Sequence, residues 1–238
     1  TAEVIYCSFE GNVSTDTDLG GSGGGMQINN ENTEATVSDC IFTNNYSDHG
    51  GGGLNCNKAD ANVVRCVFIG NNAKYGGGLN NNNNEMTARN CLFAGNIARG
   101  GGGGVQSYQS SPTLINCTIA DNIANYNGGV KSGSGAVNNL INCVLWGNMK
   151  SDGSNNQEAQ IDAGDLTNCC VQGWDGTLGG TDNFGSDPLF VRSGSWVFGP
   201  NDLSFDDDTW VEGDYHLQSE AGSFSSRFLK WQEYSQTS

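Results

Sequence analysis

The chain repeats one short pattern six times within its first 150 residues. Each copy has a cysteine, an apolar residue two positions later and an asparagine five positions after the cysteine, and glycine runs follow several copies. The copies are Cys7–Asn12, Cys40–Asn45, Cys66–Asn71, Cys91–Asn96, Cys117–Asn122 and Cys143–Asn148, and Cys169 stands where a seventh would begin. From Cys40 onward the cysteines are 25 or 26 residues apart. This period is typical of a solenoid, in which similar units stack on one another.

The local pattern of the repeats favours strands over helices. A pair of helices needs about 33 residues or more, which exceeds the period, and the 36 glycines disfavour helix interiors. Short apolar stretches such as Asn62–Phe68 and Thr113–Ile119 alternate with period two, as strands do. We therefore predict an all-β fold, a right-handed parallel β-helix of about six to seven coils. We expect three strands per coil: one with Cys-x-Phe, one after the glycine run and one before the next cysteine.

Stacked coils are expected to align equivalent side chains in ladders along the axis. Alternation along a strand points Cys66 and Phe68 inward and Val67 outward. The asparagines are expected to adopt the left-handed conformation at sharp bends and to form a ladder of hydrogen-bonded amides. The predicted ladders comprise Cys7, Cys40, Cys66, Cys91, Cys117, Cys143 and Cys169, then Phe9, Phe42, Phe68 and Phe93, then Asn12, Asn45, Asn71, Asn96, Asn122 and Asn148. We interpret these residues as structural.

The alternation of Phe-x-x-Asn with Gly-Gly-Gly-Leu over residues 1–150 resembles the repeats of the polymorphic outer-membrane proteins. That family's repeats alternate Phe-x-x-Asn with Gly-Gly-Ala-Ile. The resemblance implies a right-handed parallel β-helix exposed on a bacterial surface, with adhesive roles. This chain differs in its third glycine and its regular cysteines. In addition, Ser186–Phe190 and Gly213–Leu217 resemble the closing segment of large secreted right-handed β-helix proteins of environmental bacteria.

The nine cysteines are expected to be buried thiols. Cysteines one coil apart would lie on parallel strands and point the same way, which is poor disulfide geometry. The short Cys-x-x-Cys spacing of zinc sites is absent from the sequence. Cys56, Cys169 and Cys170 depart from the regular ladder and are the thiols that could oxidise, so their oxidation state stays open.

The period fades after about residue 150. We divide the chain into β-helix repeats at 1–174 and a C-terminal segment at 175–238, which we expect to fold over the end or flank of the solenoid as a cap or flap. Beyond the repeats this part of the sequence holds Trp174, Trp196, Trp210 and Trp231 and many acidic residues.

Net charge limits the classes of partner. Ten Lys and Arg against 26 Asp and Glu give a formal charge of −16, which disfavours nucleic acid because that partner needs a basic face. No apolar run of 18 residues occurs, so we predict no membrane span. The chain starts within a repeat, which favours a mature or trimmed product, and we expect an extracellular or cell-surface location.

Parallel β-helices often carry carbohydrate-active sites, which need converging acids or a calcium-bound carboxylate cluster with a nearby base. The repeats hold few acids, and the spacing suggests none at matched positions on adjacent coils. Arg65 and Arg89 are expected to share a face, and His49 and His216 to be structural. No cofactor is predicted, although calcium is an open alternative, with Asp202, Asp206, Asp207 and Asp208 as candidate ligands.

These observations favour a non-catalytic extracellular scaffold, a surface or matrix protein that acts by filament assembly or adhesion. The strand Glu3–Cys7 is preceded by no polar cap in the sequence, and an open coil favours head-to-tail contact with another copy, with Phe228–Trp231 as a complementary apolar stretch. The other expected partner is a carbohydrate or surface ligand. The alternative is a β-helix polysaccharide lyase or glycoside hydrolase.

Overall fold

The computed structural model describes residues 2–15, 23–31, 33–198 and 209–217, and the backbone alone at 223–225 and 230–232. It confirms the predicted fold class. Four parallel sheets of seven, seven, six and five strands stack along one axis, so that consecutive strands of a sheet belong to consecutive coils. We name these sheets A to D in the order in which the chain visits them within a coil.

The first five coils each contribute one strand to every sheet. Coil 1 has β1 (Ala2–Ile5), β2 (Ser8–Glu10), β3 (Val13–Ser14) and β4 (Met26–Asn29). Coil 2 has β5 (Glu34–Ser38), β6 (Ile41–Thr43), β7 (Tyr46–Gly50) and β8 (Leu54–Asn57). Coil 3 has β9 (Asp60–Val64), β10 (Val67–Ile69), β11 (Asn72–Tyr75) and β12 (Leu79–Asn82).

In coils 4 to 6 the strands of sheet C shorten to two residues, and within the described residues coils 6 and 7 have no strand in sheet D. Coil 4 has β13 (Met86–Arg89), β14 (Leu92–Ala94), β15 (Ile97–Ala98) and β16 (Val105–Tyr108), and coil 5 has β17 (Thr113–Ile115), β18 (Thr118–Ala120), β19 (Ile123–Ala124) and β20 (Val130–Gly133). Coil 6 has β21 (Asn138–Ile141), β22 (Val144–Trp146) and β23 (Met149–Lys150), followed by the one-turn helix α1 (Gln157–Gln160). Coil 7 has β24 (Gly164–Thr167) and β25 (Cys170–Val171). Thr181 and Phe184 then bridge to Thr167 and Cys170, so the stacking extends beyond residue 174.

The prediction of three strands per coil was wrong, because the residues after each ladder asparagine form a strand of their own in sheet C. These strands are as short as Ile97–Ala98, too short for alternation to reveal them in the sequence. The register of the other strands is regular. Phe68 lies opposite both Phe42 and Phe93.

Residues in the left-handed region form the corners of each coil. We predicted that the ladder asparagines would be these residues, and that prediction was wrong. The residue before each ladder cysteine has positive φ, as at Arg65 (52°) and Asn90 (55°). The residue before each ladder asparagine also has positive φ. In coils 1 to 6 this residue is Gly11, Asn44, Gly70, Gly95, Asp121 and Gly147 in turn. The bend therefore comes one residue early, and the asparagine is left free to direct its amide inward.

The glycine run brings backbone against backbone between sheets C and D. A Cβ on Gly52 would lie 2.5 Å from the carbonyl oxygen of Gly77 and 2.8 Å from the backbone of Asn72, on the next coil. A Cβ on Gly53 would lie 2.8 Å from the ring of Phe68. Both positions exclude any larger residue, which explains the glycine run in terms of packing.

The core is a continuous column of inward side chains from sheets A, B and D. It includes Val37, Val63 and Leu114 from sheet A and Leu54 and Leu79 from sheet D, all fully buried. In the described part of the chain no helix has the length and apolar character needed to cross a membrane.

The C-terminal segment contains an antiparallel ribbon. It is formed by β26 (Phe190–Arg192), β27 (Ser195–Val197), β28 (Thr209–Val211) and β29 (Asp214–Leu217), with β26 paired to β29 and β27 paired to β28. A separate backbone pair joins β30 (Ser223–Ser225) and β31 (Lys230–Gln232). The ribbon lies on the flank of the solenoid, where Trp210 covers Gly95 of coil 4 and Tyr215 reaches Asp121 of coil 5.

Candidate functional site

The asparagines of coils 1 to 6 form one hydrogen-bonded ladder. Each Nδ2 donates to the Oδ1 of the asparagine one coil further along, at 2.8–2.9 Å. That oxygen also accepts the backbone N–H of the earlier asparagine, as from Asn45 to Asn71 at 3.1 Å. The remaining Nδ2 proton goes to a carbonyl one coil back, as from Asn71 to Phe42 at 2.9 Å. Five asparagines are fully buried with their amide bonds satisfied, and Asn12 is exposed.

Gln160 of α1 ends this ladder. Its Oε1 accepts from the Nδ2 of Asn148 at 2.7 Å and from its backbone N at 3.2 Å. Its Nε2 donates to the carbonyls of Asn148 and Asn155 at 2.9 and 3.0 Å. Asn156 positions the helix as its N-cap by accepting from Ala159 N. Sequence reasoning missed Gln160 because it lies only 12 residues after Asn148 and outside the period.

The phenylalanines form a stack beside the asparagine ladder. Ring centroids of Phe9, Phe42, Phe68 and Phe93 are 4.7–4.8 Å apart, with interplanar angles of 2–7°. The column continues with Ile119, Leu145 and Val171, which are fully buried. The stack therefore places apolar surface against the amide ladder at every coil.

The cysteine column is buried from Cys40 to Cys169, and all nine cysteines are free. Each Sγ lies near two carbonyl oxygens, as Cys66 does to those of Val37 and Val64, both at 3.4 Å. Cys169 lies in the column too, 3.4 Å from the carbonyls of Leu140 and Thr167, so it occupies the ladder position that we predicted and does not belong with the irregular thiols among which we also counted it. Cys56 and Cys170 are also buried, and burial raises the pKa of the Cys56 thiol to about 12.

We expect one thiol of the folded protein to react rapidly with a disulfide reagent at pH 8, because Cys7 is exposed and the other eight are buried. Burial blocks access and disfavours the reactive thiolate. The measurement is the number of fast-reacting thiols before and after unfolding in urea. Cys7→Ser should remove the fast phase, whereas several fast thiols in the native protein would contradict the buried column.

A ridge of aromatic and charged side chains runs along sheet C and the turn that follows each of its strands (residues 46–51, 72–76 and 97–101). Tyr46 donates its hydroxyl to Asp48 at 2.6 Å, and Arg99 donates to that hydroxyl from two coils away at 2.6 Å. The Arg99 guanidinium lies 5.0 Å from the centre of the Tyr46 ring. Burial, more than the bond to Asp48, raises the pKa of Tyr46.

The next part of the ridge brings His49, Lys74 and Tyr75 together. The rings of His49 and Tyr75 meet edge to face at 5.9 Å, and the Lys74 ammonium lies 5.2 Å from the centre of the Tyr75 ring. Burial, followed by the charge of Lys74, lowers the pKa of His49, so this histidine is neutral at pH 7. His216 instead contacts the Asp214 carboxylate on the ribbon.

Acids do recur at matched positions on adjacent coils, contrary to our prediction. Glu34 lies opposite Asp60, and Asp60 Oδ1 accepts the backbone N–H of Glu85 on the next coil at 3.0 Å. The three line a surface groove of about 270 Å³ on sheet A, together with Thr36 and Asn62. Each of these acids lies six residues before a ladder cysteine, so the repeat itself carried the signal for this match and our prediction overlooked it.

The two candidate arginines take structural partners. Arg65 forms a two-point pair with Asp39 at 2.6 and 2.7 Å, and Arg89 donates to Asn62 at 3.1 Å. The calcium candidates Asp202, Asp206, Asp207 and Asp208 lie outside the described residues. Within the residues that are described, His, Cys, Asp and Glu side chains form no cluster of three or more suited to a metal ion.

Sequence reasoning also missed Asn81 in sheet D. It lies between Cys56 and Ser107 in a column of inward residues and is fully buried, yet neither atom of its amide has a hydrogen-bond partner. A buried unpaired amide is costly. The polar run continues above it, where Ser107 donates to Asn138 and Asn138 donates to Ser132, both at 2.7 Å.

Asn81→Leu is expected to raise the free energy of unfolding by about 1–3 kcal/mol, because it removes two unpaired polar atoms from the core. Urea unfolding followed by circular dichroism measures this change. Asn80→Leu is the matched control, since Asn80 donates to Asn55 at 2.7 Å and should gain nothing. A loss of stability in Asn81→Leu would show that the amide is paired in solution, as by an internal water.

Comparison with known families bears on the repeat itself. The family model of the Chlamydia polymorphic membrane protein repeat matches residues 39–57. This segment contains Cys40, Phe42 and Asn45, the glycine run and β8, and the match confirms the resemblance drawn from the two alternating motifs. The repeat indicates a bacterial surface or outer-membrane protein. Searches of the curated proteins and of the solved structures returned no match.

Proposed function

We propose that the chain is an extracellular scaffold that acts in adhesion, with the ridge beside sheet C as the contact surface for a carbohydrate or another surface ligand. The observation that carries the proposal is the match of residues 39–57 to the family model. The ladder cysteine and phenylalanine of this repeat are buried in the core. Sheet C and the turn after it carry Tyr46, Lys74, Tyr75 and Arg99, the types of side chain that contact surface ligands.

The test is binding of the purified chain to immobilised glycans and to cell surfaces. A Lys74→Ala/Tyr75→Ala variant should lose binding, because it removes the exposed cation and its ring together. Arg89→Ala on sheet A is the matched control and should bind like the parent. Equal binding by all three proteins, or binding to no surface, would contradict the adhesive role of the ridge.

Self-assembly is supported by coil 1. Cys7 and Asn12 are exposed there, and Phe9 stacks on Phe42, so the three ladders end at this coil in the described chain. A further coil, from the same chain or from a second copy, would continue them, and repeated head-to-tail contact between copies would give a filament. Sedimentation over a wide concentration range tests this. A protein that stays monomeric at every concentration would contradict filament assembly, and adhesion would remain as the proposed role. Phe228 and Leu229 of the proposed complementary stretch lie outside the described residues.

The enzyme alternative now has a specific observation in its favour, the groove with Glu34, Asp60 and Glu85. Carboxylates on adjacent coils can act as general acid and base on a polysaccharide laid across sheet A. Incubation with uronate and neutral polysaccharides should then release unsaturated or reducing ends. Loss of that release in Asp60→Asn would establish catalysis, whereas no release with the parent protein would exclude it for those substrates.

A further inference from the structure

The ribbon is attached to the solenoid through a break in the repeat. The residue before the ladder asparagine is glycine on coils 1, 3, 4 and 6 and asparagine on coil 2, but on coil 5 it is Asp121. Oδ2 of Asp121 accepts from the backbone N of Gly194 at 3.0 Å and from the hydroxyl of Tyr215 at 2.8 Å. The one corner of this set that carries a carboxylate is therefore the one that accepts hydrogen bonds from the ribbon.

The corners on either side of Asp121 both carry glycine, and the ribbon packs against the one at Gly95. A Cβ on Gly95 would lie 2.2 Å from two ring atoms of Trp210, so the indole rests directly on this glycine. On the other side, a Cβ on Gly147 would lie within 1.9 Å of Oδ1 of Asp121. Ala94 and Ala120 precede Gly95 and Asp121, point away from the core column and are nevertheless fully buried, as expected beneath the ribbon.

Among the described residues, the groups that face Asp121 supply no positive charge. From the ribbon they are the Tyr215 hydroxyl and the Gly194 amide, and Glu212 adds a negative charge near Tyr215. Arg192 donates instead to the Glu212 carbonyl at 3.1 Å. From the solenoid the neighbours are Gly95 and Gly147, which carry no side chain. The carboxylate is thus buried against neutral donors alone.

We propose that the ribbon is a strap whose attachment to coils 4 and 5 tightens on acidification, with Asp121 as the group that takes up the proton. Burial in the attached state raises the pKa of Asp121 to about 6, despite two hydrogen bonds that act in the opposite direction. A detached Asp121 would titrate near 3.8. The attached state therefore binds more protons between these values, and attachment strengthens as the pH falls through 6.

The test is hydrogen exchange of the ribbon amides in residues 190–198 and 209–217, expressed as protection factors between pH 5 and pH 7. From the two pKa values, protection should rise about tenfold from pH 7 to pH 5 in the parent protein. Asp121→Asn should show no such rise, because its amide stays neutral. Asp182→Asn is the matched control, since Asp182 is a left-handed aspartate on an exposed corner, and it should behave like the parent.

A second variant tests attachment independently of titration. Gly95→Ala should abolish ribbon protection at every pH and leave the amides of coils 2 and 3 protected, because its methyl group meets the Trp210 ring. Gly11→Ala has the same positive φ with open space around the new methyl group, and it controls for backbone strain. Ribbon protection that is unchanged between pH 5 and 7, or a tenfold rise that persists in Asp121→Asn, would overturn the proposal.

Discussion

Replacing Asn71 with alanine is expected to destabilise the protein by about 3–6 kcal/mol. The change leaves two buried donors of Asn45, its backbone N and its Nδ2, without their acceptor. It also removes the donor from the carbonyl of Phe42. Each buried polar group without a partner costs about 1–3 kcal/mol, and Asn45 and Phe42 are both fully buried.

Urea unfolding of Asn71→Ala and Asn12→Ala separates this explanation from a general effect of asparagine loss. Asn12 is the exposed first rung, so its removal leaves the Oδ1 of Asn45 accessible to water and should cost about 1 kcal/mol or less. Equal effects of the two substitutions would show that the ladder does not stabilise the solenoid through its buried amides.

Phe68→Ala is expected to cost about 3–5 kcal/mol, as for other fully buried aromatic residues. Its ring stacks at 4.7 Å on both Phe42 and Phe93, so truncation opens a cavity between two coils that the backbone hydrogen bonds hold in place. Val67→Ala is the control on the same strand. Val67 is half-buried and points away from the core, and its truncation should cost about 1 kcal/mol.

The Phe68→Ala variant also tells whether the coils unfold as one cooperative unit. Because each coil contacts only its neighbours, a defect in coil 3 should weaken its contacts with coils 2 and 4 without altering those between coils 5 and 6. Hydrogen exchange after Phe68→Ala should show this gradient along the axis. Uniform loss of protection from coil 2 to coil 6 would instead indicate one cooperative unit.

The strap adds contacts that this nearest-neighbour description lacks. It contacts Gly95 through Trp210 and Asp121 through Gly194 and Tyr215, and these two residues belong to consecutive coils. Coils 4 and 5 are therefore held together by an element outside the stack. If attachment depends on pH as proposed, the stability of these coils and the exposure of the face beneath the ribbon change together.

The repeat itself determined most of the solenoid. A cysteine, an apolar residue and an asparagine at fixed spacing, recurring every 25 or 26 residues, predict stacked strands with aligned side chains. This works because each coil buries its residues against equivalent residues of the next coil, so one pattern specifies both the strand and its neighbour. Two details were predicted wrongly. The two-residue strands of sheet C were not recognised, and the left-handed residue of the second corner was placed one position too late.

The tertiary structure alone decided the features that lie outside the period. Gln160 ends the asparagine ladder from a helix, and Asp121 binds ribbon residues that are 73 and 94 positions away in the sequence. Each depends on which residues the folded chain brings together, and sequence distance carries no information about such pairs. The physical reason is that a repeating pattern specifies contacts between equivalent positions, whereas these residues contact positions to which they are not equivalent.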